Sequence, residues 1–133
     1  MPLEAQDTLE IMDLAARYNH AIDNKDVDAW LATWTPNGVL AGGLGDFTGT
    51  EPLRNFLIGF LPVAKGRHHA TLNYSISGSG DTATMICYLI ILQVEGTAGL
   101  AATGIYTDRL QKVDGVWKFT YRTLVIDPTW KSS

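Results

Sequence analysis

The stretch RLQKVDGVWKFTYRT, residues 109–123, decides how this chain folds. At its centre Asp114-Gly115 is a two-residue hairpin signal, because a type I′ turn needs positive φ at both central positions, which Asp and Gly tolerate. With Val113 facing Val116, pairing that walks outward sets Thr107 opposite Arg122 and Ile105 opposite Leu124. One face of the hairpin then carries Tyr106, Leu110, Trp117, Phe119 and Tyr121. The other carries Thr103, Ile105, Thr107, Arg122 and Leu124, polar groups among apolar walls, as small-molecule pockets are composed.

Working back along the chain, TATMICYLIILQVE (82–95) is a long strand whose continuous apolar centre implies burial on both faces, and GSGD (78–81) turns it back onto a strand over 69–77. Four consecutive strands therefore form a meander. Two histidines stand at its head. His68 shares its parity with Ala70, Leu72, Tyr74 and Ile76, while His69 goes with Thr71, Asn73 and Ser75, so the two point to opposite faces.

The first half of the chain reads as helix. Ile11, Ala15, Tyr18 and Ile22 recur at helical spacing, and Asn24 ends that element. Asp26 is placed to cap a second helix through Trp30 and Trp34 as far as Pro36. Short extended pieces around Val39-Leu40 and Phe47 flank a glycine-rich tip over 42–45, and no Gly-Lys-Ser/Thr follows to make it a phosphate loop. Thr50 caps a third helix, with Pro52 in its first turn and Pro62 at its close. Helices followed by a meander give an α+β fold. Because three short helices cover one face of a sheet, the aromatic face is expected to be a subunit interface.

The 133 residues, 46 % hydrophobic, suffice for one domain spanning 1–133. A net charge of −4 with scattered basic residues speaks against nucleic acid, and no apolar run is long enough to span a membrane. Cys87, the single cysteine, lies in an apolar run and reads as a buried hydrophobe. The start MPLEAQDTLEIM has no basic-then-apolar signal pattern, so a cytoplasmic location is expected. Trp34 reads as core or ligand wall. His20 and Asp23, at helical i, i+3 spacing, with His69 are a thin basis for a metal site, and neither metal nor cofactor is expected.

The order of Tyr18-x4-Asp23, DNKDVDAW, Gly-Thr-x-Pro-Leu, His69-x3-Asn73, Tyr106-Thr-Asp and DGVWKF with a late Arg122 resembles the SnoaL-like branch of the nuclear-transport-factor-like superfamily. The resemblance covers nearly the whole chain and implies a cone-shaped barrel, a curved and mostly antiparallel sheet with three N-terminal helices over its concave face. Within that superfamily the chain is similar to the scytalone dehydratases and hexachlorocyclohexane dehydrochlorinases. These pair an aspartate after the first helix with a histidine opening a strand, positions matched by Asp23 and His69.

The resemblance implies that His69 is a general base oriented by Asp23 and that Tyr18, Asn73 and Arg122 are polar pocket contacts. Thr103 stands where the dehydratases have a second histidine, Ile22 where they have a tyrosine, and Tyr18 where the dehydrochlorinases have a lysine. The implied activity is a cofactor-independent lyase or isomerase acting on a mostly apolar, cyclic substrate. The alternative is a non-catalytic small-ligand module of the same fold. A homo-oligomer, dimer or trimer, is expected.

Overall fold

The computed structural model describes residues 1–130, so the last three positions of the expected 1–133 domain lie outside it. Three helices, α1 (Ala5–Asp23), α2 (Val27–Leu31) and α3 (Thr50–Ala64), lie against a curved sheet that does not close. Its strands are β1 (Trp34–Gly42), β2 (Phe47–Thr48), β3 (Arg67–Ser79), β4 (Thr82–Gln93), β5 (Gly99–Val113) and β6 (Val116–Ile126). The spatial order is β2-β1-β6-β5-β4-β3. β3 to β6 form the expected antiparallel meander, and β1 adds to the far edge of β6 in parallel.

Local chemistry accounts for most boundaries. The Asp26 carboxylate accepts the Ala29 N–H and starts α2. This helix ends at Leu31, earlier than expected, because Thr33 turns back to bond the Trp30 carbonyl and Trp34 already belongs to β1. Pro36 therefore sits in a strand, within the irregular step between Trp34 and Val39 where a missing N–H breaks no regular ladder. Gly49, with φ of 88°, occupies the N-cap of α3 expected for Thr50. Pro62 lies inside α3, which continues to Ala64.

Asp114 and Gly115 take φ of 50° and 79°, as a two-residue turn demands, and Val113 faces Val116. The predicted register holds as far as Leu110 opposite Phe119. There a bulge inserts Thr120, and beyond it Arg109 faces Tyr121, Asp108 faces Arg122 and Tyr106 faces Leu124. One extra residue reverses the parity of everything after it. Arg122 and Leu124 thus join Tyr106, Asp108, Leu110, Trp117 and Phe119 on one buried face.

This aromatic face is the one the helices cover, which overturns the expectation that it is a subunit interface. Tyr18 of α1 packs on Phe119 and Tyr106 with ring centroids 5.3 and 6.3 Å apart, and Trp34 lies 5.7 Å from Phe119. Burying the larger apolar area against the helices outweighs burying the mixed face. A second bulge lies in β3 between Leu72 and Ser75, where Asn73 adopts φ of 56°. His69 and Thr71 point inward before it, Tyr74 and Ile76 after it, and Asn73 is left exposed.

Candidate active site

Two spacings join α1 to β3. Asn19 and Asp23 are one helical turn apart, and His69 and Thr71 alternate on one strand face. Asn19 Nδ2 donates to Thr71 Oγ1 at 3.3 Å, and Asp23 Oδ1 lies 2.8 Å from His69 Nδ1. Both Asp23 oxygens also accept the His69 backbone N–H at 3.1 Å. The carboxylate is thus fixed by a main-chain donor while it binds the ring. The His69 side chain is 3 % exposed and that of Asp23 14 %.

His69 faces a cavity of about 110 Å³ between the helices and the concave sheet. Phe56 and Phe60 of α3 form one wall, the Phe60 ring meeting the imidazole edge-on at 6.4 Å between centroids. Ile22, Leu89, Ile91 and Leu124 supply aliphatic surface, and Tyr18 and Tyr106 close one end. Because Nδ1 is engaged by Asp23, Nε2 is the nitrogen left to act on a bound molecule. A carboxylate that accepts the Nδ1 proton fixes the tautomer in which Nε2 is basic.

Below the tyrosines lies a second pair. Arg122, fully buried, donates from Nε to Asp108 Oδ1 at 2.9 Å. Its guanidinium carbon stacks 3.4 Å from the Tyr106 ring centroid and 4.4 Å from those of Tyr18 and Phe119. Burial pushes the Asp108 carboxyl up to about 6 against the pull of Arg122. Burial pulls the arginine down, but Asp108 together with the surrounding Tyr106, Tyr18 and Cys87 outweighs it and holds the group protonated. Burial also raises the phenols of Tyr18 and Tyr106, the latter well above its ordinary value, so both are neutral donors at physiological pH. The same cause lifts the Cys87 thiol to about 11 and leaves it a poor nucleophile.

Of the residues anticipated from sequence, His69, Tyr18 and Leu124 line the cavity, while Asp23 stands behind His69 and borders a neighbouring polar cleft. Arg122 stands behind its tyrosine end without lining it, and Trp34 packs deeper, against Trp30 and Tyr18. Asn73 and Thr103 lie elsewhere. Asn73 is displaced by its bulge, and the Thr103 hydroxyl donates to Asp127 at 2.6 Å in a groove on the outer sheet face. Asp108 was legible as an acid two residues after Tyr106, hence on the aromatic face, where it needs a cation. Arg67, which also lines the cavity, carried no comparable signal.

A sequence profile of the SnoaL-like domain matches residues 3–123. The chain belongs to this family. Among solved structures, this SnoaL-like domain is similar to a protein of unknown function with a cystatin-like fold from Nostoc punctiforme, 37 % identical over 97 % of both chains with a TM-score of 0.93. It shares its fold with LinA at 23 % identity, covering 92 % of this chain and 86 % of LinA, TM-score 0.80. The same holds for a Novosphingobium aromaticivorans protein described provisionally as a scytalone dehydratase, at 20 % identity over 91 % and 84 % of the two chains, TM-score 0.80. No curated protein sequence matches the chain. Among the described residues no helix is long and apolar enough to cross a membrane.

Proposed function

We propose that this SnoaL-like domain is a lyase or isomerase in which His69, oriented by Asp23, removes a proton from carbon on a mostly apolar, cyclic substrate. The observation that carries this reading is the 2.8 Å contact between Asp23 Oδ1 and His69 Nδ1 at the wall of an apolar cavity. Partial exclusion of water there strengthens the carboxylate–imidazole interaction and leaves the base unsolvated on the substrate side. Charge that develops on a substrate oxygen meets the neutral phenols of Tyr18 and Tyr106, whose rings rest on the Arg122 guanidinium. Arg122 acts through these tyrosines as a positioning residue.

The reaction-independent test is isotope exchange. Cyclic ketones bearing acidic α-hydrogens are incubated with the protein in deuterium oxide and followed by NMR. Wash-in that disappears in His69→Ala is the expected result. A ketone that binds in the cavity without wash-in would identify the non-catalytic ligand module instead.

We further infer that copies of the chain associate through the outer sheet face. Leu72, Tyr88, Ile105 and Val125 are cross-strand neighbours in one row over four strands, and all four are exposed. Ile86, Leu92 and Leu100 flank the row on β4 and β5. These seven side chains present on the order of 600 Å², most of the roughly 800 Å² per partner of a standard interface. The row contains no charge to select a charged partner, so a second copy offering the same face is the occupant.

A further inference from the structure

Arg67 is the permanently charged side chain among those lining the cavity. It precedes His69 by two residues on β3, so guanidinium and imidazole leave the same strand face. Its Nε donates to Gln93 Oε1 at 3.2 Å, and Gln93 Nε2 in turn donates to the Glu95 carbonyl at 2.9 Å. This chain fixes the stem of the guanidinium and leaves its two terminal NH₂ groups without a hydrogen bond to any described residue. Arg17, Arg54 and Arg122 each have a carboxylate within ion-pair distance, and Arg67 has none among the described residues.

The position of Arg67 is a boundary. On one side is the apolar cavity. On the other is a polar cleft of about 180 Å³ bordered by Asp23, Lys25, Lys65, His68 and Glu95 as well as Arg67 itself. Lys25 and Lys65 reinforce a positive field there, whereas Glu95 and Asp23 oppose it, the latter already committed to His69. A half-buried guanidinium with a free planar fork, beside an apolar hollow, matches a planar oxyanion on an apolar body.

We propose that Arg67 is a specificity residue that binds a carboxylate carried by the ligand, whose apolar ring enters the cavity toward His69. This deepens the proposed function by naming the substrate class, an apolar monocyclic acid, and rests on the cavity being the ligand site. It does not require the dyad to be catalytic.

The test compares two probes of equal shape, 4-methylbenzoate and 4-methylbenzamide, titrated at pH 8 by calorimetry or by shifts of the His69 ring signals. The expected result is at least tenfold tighter binding of the benzoate. Arg67→Gln should remove that preference, weakening the benzoate far more than the benzamide, and Arg67→Lys should keep part of it with the fold intact. Equal affinity for the two probes, a preference that survives Arg67→Gln, or no benzoate binding at millimolar concentration would each overturn the proposal. A benzoate preference without any isotope wash-in would leave Arg67 as assigned and remove only the catalytic reading.

Discussion

The Asp23 carboxylate binds His69 twice over, at the ring through Nδ1 at 2.8 Å and at the main chain through the N–H at 3.1 Å. A carboxylate held only by the ring could rotate away. Here the strand that carries the imidazole also fixes the group that orients it, so α1 cannot shift along β3 without breaking both contacts.

The first expectation concerns the tautomer. In the wild type the proton of neutral His69 resides on Nδ1, which ¹⁵N chemical shifts of the ring report directly. In Asp23→Asn the amide can present its NH₂ to Nδ1 and drive the proton to Nε2, and isotope wash-in should fall by roughly 10²- to 10⁴-fold, as for other carboxylate–imidazole pairs. An unchanged ring spectrum in this variant would show that Asp23 does not set the tautomer.

The buried pair beneath the tyrosines gives a stability prediction. Removing Arg122 strands Asp108 in the core, where its carboxyl must stay unpaired or take up a proton, so Arg122→Met should destabilise by about 3–5 kcal/mol. Combining it with Asp108→Leu should recover most of that loss, measured by urea unfolding, because the double variant buries no unpartnered carboxyl. Additive losses in the double variant would mean that the two residues are not coupled.

Asp108 also ties stability to pH. Its folded value of about 6 lies above the ordinary 3.8, so the folded state holds a proton that the unfolded chain has released. The stabilisation from the protonated form is complete below about pH 4 and is lost as pH rises through 6, a difference of roughly 2–3 kcal/mol from a shift of this size. Unfolding free energies of wild type minus Asp108→Asn should therefore decline between pH 4 and 6. A difference that is flat or rises over that interval contradicts the assignment.

The outer sheet face predicts a change of assembly without a change of fold. Tyr88→Lys places a charge at the centre of the exposed row. Sedimentation at micromolar concentration should show an oligomer for the wild type and a monomer for the variant, with matching circular dichroism. A wild type that sediments as a monomer removes the interface.

How far the sequence discloses these features depends on where local rules dominate. The Asp114-Gly115 turn, the Asp26 cap and the helical stripe ending at Asp23 are set by residues a few positions apart, and each is legible in the chain. The Asp23–His69 pairing spans 46 residues and emerges from the family resemblance, since no local rule brings a helix end to a strand head. The faces of β3 and β6 are lost for a different reason. Each strand contains a bulge, at Asn73 and at Thr120, and one inserted residue inverts all later parities. Arg122 and Leu124 thereby reach the inner face, and Asn73 leaves it.

The bulge in β3 supports a last prediction that separates a conformational role for Asn73 from contact with the ligand. Its φ of 56° lies in the left-handed region, which Asn enters with local hydrogen bonding and Gly without strain, whereas a β-branched residue there is forced by about 1–2 kcal/mol. Asn73→Gly should accordingly leave stability within about 1 kcal/mol of wild type and isotope wash-in unaltered. Asn73→Val should lower the unfolding midpoint, because straightening the strand would turn Tyr74 and Ile76 outward and take the Tyr74 hydroxyl from its place 2.6 Å from Thr71 Oγ1. Loss of wash-in in a fully stable Asn73→Gly protein would instead make the Asn73 side chain a ligand contact.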